Sequence, residues 1–136
     1  MASTPTHTPL FILLCSGEHE KLQMAAKIAS LVAVSNRPVE VLVSMNAILA
    51  FAKDTPEEQR YTGGAFSKSL HDKHVPTAAQ LFRQGKEFGD LKVWACAMAL
   101  DVHGWDMQHL IADLFDGSLG LTRFMSDAEK GQFITI

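Results

Sequence analysis

The sequence predicts a single α/β domain, a three-layer α/β/α sandwich around a mainly parallel sheet of four to five strands. Short apolar runs alternate with segments whose apolar residues recur at helical spacing, a pattern typical of βαβ units. The runs are apolar at nearly every position, as in strands buried on both faces. The 136 residues suffice for one core. We therefore expect one domain over residues 9–136, preceded by a disordered tail over residues 1–8.

The first half of the chain predicts two strands and two helices. An uninterrupted apolar run predicts the first strand over residues 10–15, and helical spacing predicts a helix over residues 18–35. β-branched residues predict a second strand over residues 39–43. Ser44 is then expected to cap a largely buried helix over residues 45–53.

Residues 54–75 are polar and rich in turn-forming residues, which predicts a long loop. Structureless connections of this length are uncommon in compact domains and tend to be functional. We therefore expect this segment to act as a lid near the site or to lie at a subunit contact.

The second half resumes the alternation of helices and strands. A helix is predicted over residues 76–88 and a third strand over residues 91–95, with Cys96 directly after it. A helix over residues 107–115 is predicted to end at Gly117. Two shorter segments complete the prediction: residues 119–130 fit a short strand at 119–121 or a helix over 122–129, and residues 133–136 are predicted as a terminal strand.

The composition excludes several classes of partner. A hydrophobic fraction of 47% and a net charge of −3 give no broad electrostatic reason to bind nucleic acid or an anionic membrane. The apolar run over residues 10–15 is far shorter than the ~20 residues that span a bilayer. The first eight residues lack the basic flank of a secretory signal, so cytoplasmic residence is expected.

Cys96 is the candidate reactive residue. It closes the third predicted strand and opens a helix-favouring stretch, and ligands of open α/β sheets bind at the carboxyl ends of strands. Backbone N–H groups at the start of a helix favour an anion such as a thiolate, which lowers the pKa of a thiol and makes it a nucleophile or an acceptor of sulfane sulfur. Such a carrier needs no metal or other cofactor.

Cys15 is the second thiol, at the end of the first predicted strand. In a parallel sheet it emerges at the same edge as Cys96, and a relay between the two is possible if their strands pair directly. The alternative is that each cysteine is a small buried hydrophobe. The residues predicted to accompany Cys15 around the pocket are Ser16, Gly17, Met45, Ala97, Met98 and His103.

Two other chemistries have weaker support. His71 and His74 are spaced like a helical metal pair, and His103 follows Cys96 by seven residues, but the chain has no Cys-x-x-Cys or His-Glu-x-x-His pattern. Ser16-Gly17 resembles the start of a phosphate cradle, but glycine-rich nucleotide-binding patterns are absent. We therefore assign no metal site and no nucleotide.

The stretch from Leu91 to Cys96, the following residues 97–104 and the predicted leucine-bearing helix over residues 106–115 together resemble the DsrE/DsrF-like sulfur-relay family, including TusD-like proteins. In outline the resemblance extends to residues 133–136. It implies a DsrEFH-like fold, a sulfur-accepting cysteine at Cys96, and cytoplasmic persulfide transfer between donor and acceptor proteins or small thiols. It also implies homo-oligomers, often trimers or hexamers, or hetero-oligomers with related subunits. Cys15 and the long 54–75 segment depart from the family pattern.

Three hypotheses follow. The first is a sulfur carrier of the sulfurtransferase type that holds a persulfide on Cys96, with Cys15 as an auxiliary. The second is a non-catalytic binding or assembly subunit that uses the same strand-end pocket for a small ligand or partner. The third is a metal-binding regulator that uses His71, His74 and His103.

Overall fold

A computed structural model describes residues 7–136, which form a five-stranded sheet with helices on both faces. All strand pairs are parallel, in the order β4-β3-β2-β1-β5. The strands are β1 (Leu10–Leu14), β2 (Val39–Val43), β3 (Leu91–Cys96), β4 (Gly117–Leu119) and β5 (Gln132–Thr135). The predicted fold class, an α/β/α sandwich, is confirmed.

Six α-helices and two 3-10 helices connect the strands within the described residues. The α-helices are α1 (His19–Val34), α2 (Glu57–Arg60), α3 (Ala65–Asp72), α4 (Ala78–Phe88), α5 (Ala97–His103) and α6 (Leu121–Ala128). The 3-10 helices are Met45–Phe51 and Met107–His109. None of the helices between residues 7 and 136 has the length and apolarity needed to cross a bilayer.

The two faces of the sheet are covered by different helices. On one face, α4 lies against β3, because a Cβ at Gly85 would meet the Leu91 side chain at 2.7 Å. On the other face, the α6 residue Phe124 packs edge-on against Phe11 of β1, with ring centroids 5.7 Å apart. The register places Leu91 and Phe11 on opposite faces, because Leu91 aligns with Leu10 through Val39. Apolar side chains are therefore buried on both faces of the sheet, under α4 on one face and α6 on the other.

Two predicted elements are wrong. The predicted loop over residues 54–75 contains α2 and α3. The predicted helix over residues 107–115 is only a three-residue 3-10 turn, after which the chain runs along the sheet: the Ile111 N–H donates to the Phe51 carbonyl at 2.8 Å, and the Asp116 N–H to that of Val93 at 2.8 Å. These hydrogen bonds hold the segment in a non-helical path in which the apolar side chains of Leu110, Ile111 and Leu114 are buried.

Other boundaries also differ from the prediction. Gly117 begins β4 with a φ of 153° and does not end a helix. The ambiguous stretch 119–130 contains the end of a strand and then α6. The helix predicted over residues 45–53 is a 3-10 helix that ends at Phe51, because Ala52 turns to extended backbone and pairs with Leu110. Residues 1–6 of the predicted tail lie outside the described residues.

Candidate functional site

A cleft of about 830 Å³ opens at the carboxyl edge of β1 and β2. This is the edge at which open α/β sheets bind ligands, and the volume suits a small organic molecule. The lining residues are Ser16, Gly17, Glu18, Asn46, Leu49, Ala50, Thr55, Gln59, Arg60, Thr62, Gly63 and Trp105.

The floor of the cleft is formed where two loops meet at the ends of the strands. Gly17 follows β1 and lies against the backbone of Asn46, which follows β2. A Cβ at Gly17 would be 2.8 Å from the Asn46 carbonyl oxygen, closer than real Cβ contacts come. Glycine is therefore required at this position for the two loops to approach each other.

One wall of the cleft comes from the segment predicted as a lid. Thr55, Gln59 and Arg60 lie at or near α2, and Thr62 and Gly63 follow it. The His19 N–H donates to the Thr62 carbonyl at 2.8 Å, which ties this wall to the first turn of α1. Residues of the 54–75 segment thus line the same cleft as Ser16 and Gly17, which the sequence analysis assigned to the pocket.

Arg60 supplies a positive charge to the cleft. Its Nε donates to the Thr55 carbonyl at 3.0 Å, which fixes the guanidinium, and the residue is half-buried. Its terminal nitrogens have no hydrogen-bond or carboxylate partner among residues 7–136. A half-buried guanidinium in this state can bind an anion.

Backbone amides lie in the same cleft. The Glu18 N–H donates to the Ser16 hydroxyl at 3.1 Å. The N–H groups of Ser16 and Gly17 themselves make no hydrogen bond to any other described residue. They are therefore available to a ligand.

Glu18 is the carboxylate of the cleft. It is exposed, and a hydrogen bond and the negative charge of Glu20 raise its pKa above the ordinary value, while the charge of Lys21 opposes the shift. A cation beside Glu18 would offset the repulsion between its carboxylate and that of Glu20.

Trp105 forms an apolar part of the lining. Its ring is parallel to that of His109, with centroids 5.8 Å apart, and lies 5.1 Å from the ring of His103. His103 therefore packs against a cleft residue but does not itself line the cleft. The role predicted for His103, a wall of a pocket around Cys96, stays a prediction.

Cys96 lies at the end of β3 and is almost completely buried, with 1% of its surface exposed. It does not line the cleft, and its side chain accepts no hydrogen bond from the first turn of α5. The thiol therefore has the position in the fold that the sequence predicts. It is neither accessible nor bound by the helix amides.

Cys15 follows β1 at the same edge and is half-buried. Burial, and then the negative charge of a nearby Cys96 thiolate, raise the pKa of the Cys15 thiol above its ordinary value. Cys15 also directly precedes the cleft residue Ser16.

The strands of the two cysteines do not pair directly, because β2 lies between β1 and β3. Cys15, Ser44 and Cys96 each follow a residue of the aligned row Leu14–Val43–Ala95, so they occupy one level of the edge. Two strand spacings are roughly 10 Å, whereas the Cα atoms of a disulfide lie roughly 4.4–6.8 Å apart. The condition for a direct relay between the two thiols, that their strands pair with each other, is therefore not met.

Only some of the other predicted pocket residues line the cleft. Ser16 and Gly17 line the cleft. Met45 and Met98 do not line it and are exposed, at 53% and 46%. Ala97 is half-buried in the first turn of α5. The residues that the sequence analysis missed include Glu18, Asn46, Arg60 and Trp105. The position of 54–75 as a lid was the only signal that pointed toward one of them.

A second polar cluster lies beside the cleft, and the sequence analysis did not find it. His19 begins α1 with 3% exposure, and its Nδ1 lies 2.6 Å from the hydroxyl of buried Ser67 on α3. The His71 ring lies 4.8 Å from the His19 ring, and His71 Nε2 donates to the Tyr61 carbonyl at 2.7 Å. Burial, and then the charge of His71, lower the pKa of His19, while Glu20 opposes this shift.

The histidines named in the metal hypothesis are not brought together as a set. His71 and His74 line a small cavity of about 230 Å³ with His19, whereas His103 packs against Trp105. Between residues 7 and 136, no group of three or more His, Cys, Asp or Glu side chains could hold a metal ion.

No protein-family model and no curated protein matches the chain. Among solved structures, the chain is similar to the protein of unknown function MTH1491 from Methanobacterium thermoautotrophicum. The TM-score is 0.62 at 12% sequence identity, and the match covers 95% of this chain and 99% of the other. At this identity the similarity shows a shared fold.

Proposed function

We propose that this protein is a sulfur carrier that accepts a sulfane sulfur as a persulfide on Cys96 and passes it to an acceptor thiol. The observation that carries the proposal is the placement of both thiols at one level of the carboxyl edge of the sheet, where Cys96 ends β3 and Cys15 follows β1. The resemblance of residues 91–104 to the DsrE/DsrF-like sulfur-relay family supports the same assignment.

The transfer chemistry is balanced without a cofactor. The Cys96 thiolate attacks the terminal sulfur of a donor persulfide, a new S–S bond forms to Cys96, and the donor S–S bond breaks. The donor leaves as a thiolate, which takes up the proton that the Cys96 thiol released on ionisation. An acceptor thiolate then attacks the terminal sulfur on Cys96 and releases the Cys96 thiolate. Each step exchanges one S–S bond for another, so no external oxidant or reductant is consumed.

The burial of Cys96 gives the carrier a protected storage site and requires a local opening for loading and delivery. α5 is short, and its outer surface is exposed at Met98 and Val102. Cys15 is half-buried at the same edge of the sheet and directly precedes the cleft residue Ser16. Its raised pKa keeps it protonated at neutral pH, which suits an auxiliary thiol better than the primary acceptor.

The test is the intact mass of the protein after incubation with a sulfane donor such as inorganic polysulfide. We expect wild type and Cys15→Ser to gain the mass of one sulfur atom that a reducing thiol removes, and Cys96→Ser to gain none. A gain that persists in Cys96→Ser, or no gain in folded wild type, overturns the proposal. Thermal unfolding of each variant shows whether it is folded.

The second candidate is a non-catalytic binding subunit. The observation that favours it is that the cleft of about 830 Å³ is lined by neither cysteine. In that case Cys96→Ser keeps ligand affinity and biological function, whereas a carrier loses function on this substitution. The two functions are separated by complementation with Cys96→Ser.

We also propose cytoplasmic residence and assembly into a homo-oligomer, a trimer or hexamer. Exposed apolar side chains support assembly: Val102 is 77% exposed and Met98 46% exposed on α5. Light scattering of the purified protein measures the mass in solution, and a monomer at micromolar concentration contradicts this part of the proposal.

A further inference from the structure

The cleft carries the elements of an anion subsite. Arg60 is half-buried and held by its bond to the Thr55 carbonyl, with its terminal nitrogens unpaired among residues 7–136. Ser16 and Gly17 line the same cleft, and their backbone amides are likewise without a partner in the described chain. A planar guanidinium with two nearby N–H donors suits a carboxylate, which accepts several hydrogen bonds at once.

The cleft also carries a place for a cation. Glu18 lines it and makes no ion pair with any side chain of residues 7–136. Its neighbour Glu20 has a buried Oε1 that finds no hydrogen-bond donor in the described chain. An ammonium group of a ligand beside Glu18 would offset the repulsion between the carboxylates of Glu18 and Glu20. The cleft thus has a positive charge at Arg60 and a negative charge at Glu18.

The rest of the lining is uncharged. Leu49 and Trp105 offer apolar surface, and Asn46, Gln59 and Thr62 offer hydrogen bonds. The volume of about 830 Å³ holds an organic molecule larger than an inorganic anion. Ser16 directly follows Cys15, so the Ser16 amide of the cleft is one residue along the chain from the half-buried thiol.

We propose that the cleft binds a zwitterionic small thiol of the amino-acid or short-peptide type. Its carboxylate is bound by Arg60 and the amides of Ser16 and Gly17, and its ammonium by Glu18. This inference rests on the proposed function in one respect: it identifies the molecule as the low-molecular-weight donor or acceptor of the transferred sulfur. The binding site itself stands on the cleft geometry.

Binding is tested with molecules that cannot exchange sulfur. The protein is the Cys15→Ser/Cys96→Ser double variant, and the probes are S-methylcysteine and S-methylglutathione, measured by calorimetry. Matched probes lack one charge: N-acetyl-S-methylcysteine has no ammonium, and S-methylcysteamine has no carboxylate. We expect one of the zwitterions to bind, and the matched probes to bind about 10-fold more weakly, since each loses one charge-assisted contact.

Two substitutions assign the charges to residues. Arg60→Gln is expected to bind S-methylcysteine no more tightly than S-methylcysteamine, which lacks the carboxylate. Glu18→Gln is expected to bind S-methylcysteine no more tightly than the N-acetyl probe, which lacks the ammonium. If S-methylglutathione is the tighter ligand, its affinity falls about 10-fold in each variant. Arg60→Lys keeps the charge and retains part of the affinity. The controls Arg123→Gln and Glu129→Gln, on exposed positions of α6 and just after it, leave every affinity unchanged.

The inference is overturned if neither zwitterion binds the folded double variant at millimolar concentration, or if loss of either charge changes nothing. Because this variant has no thiol, the result does not depend on persulfide formation. Conversely, the mass test with inorganic polysulfide does not require the cleft to bind a zwitterion. The two proposals therefore fail separately.

Discussion

The imidazole of His19 and the hydroxyl of Ser67 lie 2.6 Å apart, and both side chains are buried. Ser67 is the one residue of α3 that is buried, while its neighbour Phe66 is 65% exposed. This hydrogen bond therefore holds the second half of the lid segment against the start of α1, beside the wall that carries Arg60.

Ser67→Ala removes this bond and leaves the buried imidazole without its partner. We expect the free energy of unfolding to fall by about 1–3 kcal/mol and α3 amides to exchange faster with solvent. Urea unfolding and hydrogen exchange measure these effects. Ser69→Ala, at an exposed position of the same helix, is the matched control and changes stability little. Equal behaviour of the two variants contradicts the role of Ser67.

The lowered pKa of His19 makes stability depend on pH in one direction. Between the folded pKa and the ordinary value of 6.5, the unfolded chain binds more protons than the folded protein, so stability is lost as the pH falls below about 6.5. His71 strengthens this effect and Glu20 weakens it. His19→Gln, compared with wild type by urea unfolding at about pH 7.5 and about pH 5.5, shows a smaller loss. An identical loss in both proteins is inconsistent with the assignment to His19.

Gly89 lies where the ends of α1 and α4 meet. A Cβ at this position would collide with the backbone of Ala33, which cannot move aside as a flexible side chain can. We expect Gly89→Ala to destabilise the protein by about 1–3 kcal/mol, or more, in thermal or urea unfolding. At Gly120 a Cβ meets nothing within 4 Å, so Gly120→Ala is the control and is nearly neutral. A neutral Gly89→Ala refutes the close approach of the two helices.

Asp116 joins α4 to the β3–β4 edge of the sheet. One carboxylate oxygen pairs with Lys86 and also accepts from the Val93 N–H, the latter at 2.8 Å. Asp116→Ala is expected to lower the free energy of unfolding by about 1–2 kcal/mol, because the Val93 amide loses its acceptor. The control, Asp101→Ala, removes an exposed carboxylate of α5. Equal loss in both variants excludes a specific contribution from the Asp116 contacts.

The two thiols are expected to react at different rates with iodoacetamide. Cys15 is half-buried and has a raised pKa, so it reacts more slowly than a free thiol at neutral pH. Cys96, 1% exposed, reacts only when the structure opens, and therefore after Cys15. Peptide mass analysis over time, with urea-unfolded protein as the reference, gives the order. Faster labelling of Cys96 in the native protein contradicts its burial.

Parts of the fold could be predicted because local sequence and tertiary environment agree. β2 and β3 are apolar runs in sequence and buried strands in the structure. The stretch 107–115 fails because its apolar residues, Leu110, Ile111 and Leu114, fit a helix by spacing but are buried by a chain that bonds to Phe51 and Val93. Local pattern cannot distinguish these two ways of burial.

The position of the site at the carboxyl ends of the strands could be predicted, but most of the residues that line it could not. Ser16 and Gly17 follow an apolar strand, and that position alone indicates the carboxyl edge. Arg60 comes from one short helix within a polar segment, where a single charge has no periodic signal. His19 resembles any exposed residue at the start of a helix, and only the distant Ser67 explains its burial. The burial of Cys96 depends in the same way on elements far away in the chain.

The position of β5 has a consequence for synthesis on the ribosome. β1 is hydrogen-bonded on one side to β2 and on the other to β5, whose residues follow it by more than a hundred positions. During translation, β1 can pair with β2 early, but its other edge stays open until residues 132–135 have emerged. A nascent chain that stalls before this point exposes an apolar strand edge, the kind of surface at which chains aggregate and chaperones bind.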